Sequence, residues 1–445
     1  MNLLIKGGTL VTTEGMTKND IRVSDELITE IGHLESHPDE LTIDASGKLI
    51  FPGIIDAHVH YHMNAGAIYT ADNFDQGSIL AIKNGVTTII DFAPYQIPNL
   101  LPAESINIRR QDAKDCHVDY KFHLEVSSYE QVKNLNKSFY EEQGIKSLKI
   151  YTTYGDDMIS YDDIKPLFEH AVKNELVVMI HAENDEILRE ERMKLINRNQ
   201  TDISNHGLSR PREAEIKMIE YVVDAAVELG TVIYIAHVST KEGVNYIKKY
   251  KDRGNIYAET CPHYLLLDES YYKRVEPERY VMSPPLRTAE DSLTLWQRLS
   301  DNTLDCVSTD HCAFSLDGKA KGNSFIDVYS GVSGTETLLP IMYKHYKEKG
   351  HPLEDLIKKI STNPAKLFGM YPKKGSLKVG TDADIVIYNP LKEKVLKDED
   401  VLSNSNYTVF DGFTVKGKVE TTIIRGNVVY NNQLSLNEFR GKYIY

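Results

Sequence analysis

Gly53-Ile54-Ile55-Asp56-Ala57-His58-Val59-His60 is an apolar run that ends in two histidines one residue apart. In an extended strand alternate side chains share a face, so His58 and His60 are expected to point the same way where the run stops. Two imidazoles placed side by side make half a metal site.

The other half is sought at the ends of similar runs. Lys149 lies in the short stretch Leu148-Lys149-Ile150. Val177-Val178-Met179-Ile180 runs into His181, Val232-Ile233-Tyr234-Ile235-Ala236 into His237, and Leu304-Asp305-Cys306-Val307-Ser308-Thr309 into Asp310. Singly, a histidine at a strand end is most often a satisfied polar residue, and an aspartate there a helix cap or turn former. Their recurrence at five strand ends points to one shared site.

From residue 50 onward, β-branched runs alternate with amphipathic stretches. The candidate strands are 53–60, 86–92, 119–126, 146–152, 176–182, 231–237, 255–261 and 303–309, with helical patterns at 75–84, 102–114, 161–174, 213–229 and 289–300. Ser239 and Glu242 give a capping-box signal for a helix after the sixth strand. Alternating strands and helices imply a parallel sheet, and eight repeats over about 260 residues fit a (β/α)8 TIM-type barrel spanning 51–371. Active sites of such barrels sit where the strands end, which is where these six residues fall. A doubly wound open sheet is the rival architecture, but it strings strand ends along a line.

The flanks read differently. Residues 1–50 and 372–445 carry short strands broken by turn residues, among them Leu3-Leu4-Ile5-Lys6, Asp20-Ile21-Arg22-Val23, Asp384-Ile385-Val386-Ile387-Tyr388 and Thr421-Thr422-Ile423-Ile424. Strands from both termini are expected to form one small β-sandwich.

A chain of 445 residues can bury a large core, and a formal net charge of −14 argues against a nucleic-acid or anionic-membrane surface. No apolar stretch approaches the roughly 20 residues of a spanning helix, and the N-terminus turns at Gly7-Gly8 before a signal-peptide core forms. The expectation is a cytoplasmic protein. Cys116, Cys261, Cys306 and Cys312 lack the paired spacing of a structural zinc site and read as free thiols.

Four neutral imidazoles and a carboxylate suit zinc or a similar borderline divalent metal. Lysine does not, because its reference pKa of about 10.4 makes it a cation. The conflict disappears if Lys149 carries a carboxyl group as a carbamate.

At these residues the chain resembles the cyclic amidohydrolases, most closely the dihydropyrimidinase and hydantoinase branch. The matching pieces are Asp56-Ala57-His58-Val59-His60, Ser147-Leu148-Lys149, His181-Ala182-Glu183-Asn184, Ala236-His237, Ser283-Pro284-Pro285-Leu286-Arg287 and Ser308-Thr309-Asp310-His311-Cys312. Asn363-Pro364-Ala365-Lys366 and Gly380-Thr381-Asp382-Ala383-Asp384 extend the match over nearly the full length. The resemblance implies two metal ions bridged by N6-carboxylated Lys149. His58, His60 and Asp310 would hold the more buried ion, and His181 and His237 the more exposed one. It also implies a bridging hydroxide as nucleophile, Asp310 as proton shuttle, and a small cyclic ureide or imide as substrate.

Tyr154 matches the family tyrosine that hydrogen-bonds the developing oxyanion, its alternative being a rim aromatic. Ser283 matches a residue whose backbone grips the substrate ring, or is part of a Ser-Pro-Pro turn. His62 stands where dihydroorotases carry an arginine, and the neighbouring Met63 resembles hydantoinases that accept apolar exocyclic groups. Tyr329-Ser330-Gly331 replaces the Pro-Asn-Gly of many dihydropyrimidinases, so Ser330 offers the substrate a different hydrogen-bond set. The resemblance further implies a homo-oligomer, dimer or tetramer, with the aromatic tail Glu438–Tyr445 either a docking arm or a frayed end. The competing functions are an allantoinase and a non-catalytic scaffold of the same fold.

Overall fold

The computed structural model describes residues 2–94 and 100–445. Eight short parallel strands follow one another around one sheet: Ile54–Asp56, Val86–Ala93, Asp119–Glu125, Ser147–Tyr151, Val177–His181, Val232–Ile235, Ile256–Thr260 and Cys306–Val307. The sheet closes into a barrel where Val59 bridges His311 and the His60 amide donates to the His311 carbonyl at 2.8 Å. Burial on both faces explains why the strands read as nearly unbroken apolar runs. In the fifth strand Val177 and Met179 pack inside the barrel with Tyr234 and Phe368, while Val178 and Ile180 join the larger core beneath the helices. The same alternation turns His181 inward.

Helices Phe74–Lys83, Pro102–Asp112, Tyr161–Asn174, Arg212–Leu229 and Ala289–Ser300 lie within about two residues of the expected positions. Asn184, three residues after His181, caps Asp185–Asn197 by accepting the Ile187 amide at 3.0 Å. The capping box expected at Ser239 does not form. Thr240 is the N-cap of Lys241–Tyr250, and the Ser239 hydroxyl instead donates to buried Glu215.

The first and eighth strands are the most shortened relative to their sequence patterns. The first ends at Asp56 because that carboxylate turns to the eighth strand, accepting the Thr309 amide at 3.0 Å and the Thr309 hydroxyl at 2.6 Å. The eighth keeps only Cys306–Val307 in the ladder, and Asp310 beyond it takes a left-handed φ of 50°. His58 and His60 therefore stand on an extended segment past the strand, with Val59 packed into the outer core between them.

Strands from both ends of the chain pair beside the barrel. Ile385–Val395 runs antiparallel to Leu49–Pro52 inside a six-stranded sheet, which packs through Leu10, Ile50, Ile385 and Ile423 on a four-stranded sheet containing Leu3–Lys6 and Asp20–Ser24. Parts of 372–445 lie on the barrel: Tyr407, Val409 and Phe410 enter its core, and Tyr443 bridges Tyr120. The tail thus docks on its own chain, where Arg110 lies 4.2 Å from the Tyr443 ring centre. All four cysteines are buried and free. Among the described residues, no helix is long and apolar enough to cross a membrane.

Candidate metal centre

The five strand ends converge. Asp310 Oδ1 lies 3.1 Å from His58 Nε2 and 3.2 Å from His60 Nε2, and those two nitrogens are 3.3 Å apart. His181 Nδ1 faces His237 Nε2 at 3.0 Å, and the His58 and His237 ring centres are 5.5 Å apart. Ligand atoms from His58, His237 and Asp310 all fall within 4.8 Å of one another. Lys149 is fully buried, and its Nζ lies 5.1 Å from the centre of the Phe92 ring, which itself stacks on His60 at 4.5 Å.

Hydrogen bonds on the far side of two imidazoles fix which nitrogen faces the centre. His58 Nδ1 is 2.5 Å from Glu259 Oε1, and His181 Nε2 is 2.8 Å from Glu183 Oε2. Each carboxylate takes the ring N–H and leaves the opposite nitrogen with its lone pair inward. Tyr234 and the His237 amide hold Glu259 in turn, and Arg210 pairs with Glu183. Burial pulls His60 and His237 below the ordinary histidine value and His181 down to about 4. Neutral imidazoles are the form that binds a metal.

Burial would raise Asp310, but His58, His60 and His237 together hold it well below the usual carboxylate range. Burial lowers Lys149 to about 8, and its Nζ has no hydrogen-bond partner among the described residues. An ammonium in that position is costly to bury. Lone pairs facing one another at about 3 Å repel unless a proton or cation lies between them, and a carboxylate at their edge favours a cation. The donor set fits a metal pair.

The other sequence-predicted residues are less tightly placed. Tyr154 packs against His181 at 4.8 Å between ring centres, with a left-handed φ of 84°. His237 and Asp310 also have positive φ, at 37° and 50°, so backbone strain gathers at this rim. Ser283 is buried, with its hydroxyl beside that of Tyr154. Half-buried Ser330 offers its carbonyl to Cys312 Sγ at 3.9 Å, and the next amide, Gly331, donates to Val281 at 3.0 Å. Half-buried Met63 is tied through its amide to Thr70 Oγ1 at 2.8 Å. Sequence reasoning overlooked Glu183, Glu259 and Arg210. A signal for the first two existed: each is a carboxylate at the end of an apolar strand run, as Asp310 is.

A family model described as the amidohydrolase family matches residues 49–429. A D-hydantoinase from Ralstonia pickettii is 33% identical over 440 residues, covering 96% of this chain and 95% of that protein. One from Geobacillus stearothermophilus is also 33% identical, over 99% and 95% of the two chains. Among solved structures, a dihydropyrimidinase from Brevibacillus agri superposes with a TM-score of 0.96 at 31% identity, covering 100% of this chain and 98% of that one. The chain belongs to the amidohydrolase family.

Proposed function

We propose that this chain opens the ring of a hydantoin, dihydropyrimidine or related cyclic ureide at an amide bond. It is a metal-dependent hydrolase of cyclic amides, a reading that stands over an allantoinase or a non-catalytic scaffold. The observation that carries the site assignment is the convergence of four imidazoles, a carboxylate and an unpartnered lysine from five strand ends.

In this reading His58, His60 and Asp310 would hold one divalent ion, His181 and His237 would hold a second, and Lys149, as its carbamate, would serve both; zinc would suit the nitrogen-rich set. A bound metal pair supplies an activated water and polarises the amide carbonyl. The side chains do the rest. Asp310, held ionised, accepts a proton as the carbonyl carbon is attacked and returns it to the ring nitrogen as the C–N bond breaks. Tyr154 donates its hydroxyl to the carbonyl oxygen as charge builds there. Substrate contacts are assigned to Tyr154, Ser283, Ser330 and Met63, with Ser283 gripping the ring through its backbone. A cytoplasmic homodimer or homotetramer belongs to the same reading, and light scattering tests the assembly.

The experiment is a hydrolysis screen on metal-loaded protein with hydantoin, 5-substituted hydantoins, dihydrouracil, allantoin and dihydroorotate, alongside elemental analysis. About two divalent ions per chain with turnover of hydantoins or dihydrouracil is expected. Turnover of allantoin alone, or a chain that binds no metal, overturns the proposal.

A further inference from the structure

Arg210 precedes Pro211, which disfavours helical backbone at Arg210; with φ −130° and ψ 70° the chain turns there between His206–Ser209 and Arg212–Leu229. That turn delivers a guanidinium to the barrel mouth. Its Nε lies 3.2 and 3.3 Å from the two Glu183 oxygens, and its Nη2 also pairs with Glu183. The Arg210 carbonyl accepts from Arg287 Nη1 at 2.8 Å, and Arg287 is itself tied to Ser239 at 3.1 Å and Glu215 at 3.3 Å. The group is therefore braced from both its side chain and its backbone.

The same Nη2 lies 3.4 Å from the Tyr154 hydroxyl oxygen, with the guanidinium carbon 5.2 Å from the centre of the Tyr154 ring. A guanidinium has donors and no acceptor, so the phenol oxygen must accept in this contact. The one O–H proton of Tyr154 is left to point elsewhere. An arginine in this place decides the polarity of the neighbouring hydroxyl as well as its position, which a neutral amide, able to donate or accept, does not.

We propose that Arg210 is a positioning residue for ring opening, one that holds the Tyr154 hydroxyl as a donor toward the substrate carbonyl and anchors it to the Glu183 carboxylate behind His181. The inference rests on the role assigned to Tyr154 above. It adds a donor-only clamp joining the oxyanion-side residue to the histidine side of the centre.

The test is a double-mutant cycle on the full chain at saturating metal, with Tyr154→Phe, Arg210→Gln, Arg210→Lys and the Tyr154→Phe/Arg210→Gln double variant. Metal content, kcat and KM are measured for dihydrouracil and hydantoin. Arg210→Gln is expected to lower kcat by about tenfold or more, of the order seen when an oxyanion donor is weakened, with a smaller change in KM. Arg210→Lys, also donor-only, regains part of the loss. In the Tyr154→Phe background, Arg210→Gln adds no further loss. Multiplicative effects in the double variant overturn the inference, as does an unchanged Arg210→Gln rate or a rate loss that follows lost metal. A Tyr154→Phe variant at the wild-type rate instead removes the role of Tyr154 itself, and this inference with it.

Discussion

The carboxylate of Glu183 lies 2.8 Å from Nε2 of His181, on the opposite side of the ring from the nitrogen that faces His237. Glu259 stands in the same relation to His58 Nδ1. Two histidines on different strands thus have their tautomers set from behind by buried carboxylates.

These contacts predict that Glu183→Gln and Glu259→Gln each weaken metal affinity by about 10- to 100-fold, since a carboxylate behind a ligating histidine orients the ring and raises its basicity. Competition with a chelator, followed by atomic absorption, measures the change. Unaltered affinity in both variants contradicts the assignment of His58 and His181 as ligands.

Lys149→Ala is expected to remove both metal loading and turnover, with partial recovery when a short carboxylic acid is added in place of the bridge. A carbamate also predicts a one-carbon label on Lys149 when apoprotein is reloaded with metal in 13C-bicarbonate, read by carbon NMR. Full activity without carbon dioxide after exhaustive degassing and reloading contradicts the bridge.

Asp310→Asn is expected to retain much of the bound metal while kcat falls by about 100-fold or more, because the amide cannot carry the proton to the leaving nitrogen. Near wild-type turnover in this variant ends the proton-shuttle role.

Much of this was legible in the sequence, and the reason is the parity of strands. Val177-Val178-Met179-Ile180-His181 shows both faces buried and a polar end, which is how a barrel strand reads. The ends of the first and eighth strands were misjudged, because the Asp56–Thr309 hydrogen bonds that pull them out of the ladder link residues 253 apart. Ser239 failed as a cap for a similar reason: Glu215, 24 residues earlier in the chain, claims both its hydroxyl and its amide. Arg210 gave no signal, since nothing local marks an arginine that pairs with Glu183 and Tyr154 across the mouth.

Away from the centre, Lys374 is buried among Asp119, Asp382 and Asp384, with Arg425 also on Asp119. Burial alone would raise Asp119, but Lys374 and Arg425 hold it below its ordinary value; burial keeps Asp384 above its ordinary value despite Lys374, and the three carboxylates raise Lys374. A depressed carboxylate contributes stability above its unfolded pKa of about 4, and that contribution fades as pH falls through the lower folded value. The raised lysine contributes throughout this range. Lys374→Met is therefore expected to cost about 3–5 kcal/mol at neutral pH, with the deficit shrinking as pH falls and first Asp384, then Asp119, protonates. Urea unfolding at several pH values measures it, and a deficit that grows on acidification contradicts the assignment.

The central claim is that side chains from five strand ends gather a pair of metal ions, and anomalous X-ray scattering from crystals of the metal-loaded protein tests it most directly. The account predicts two peaks, one bonded to His58, His60 and Asp310 and the other to His181 and His237, with density for a carboxylated Lys149 between them. A single peak elsewhere, or none at these imidazoles, contradicts it.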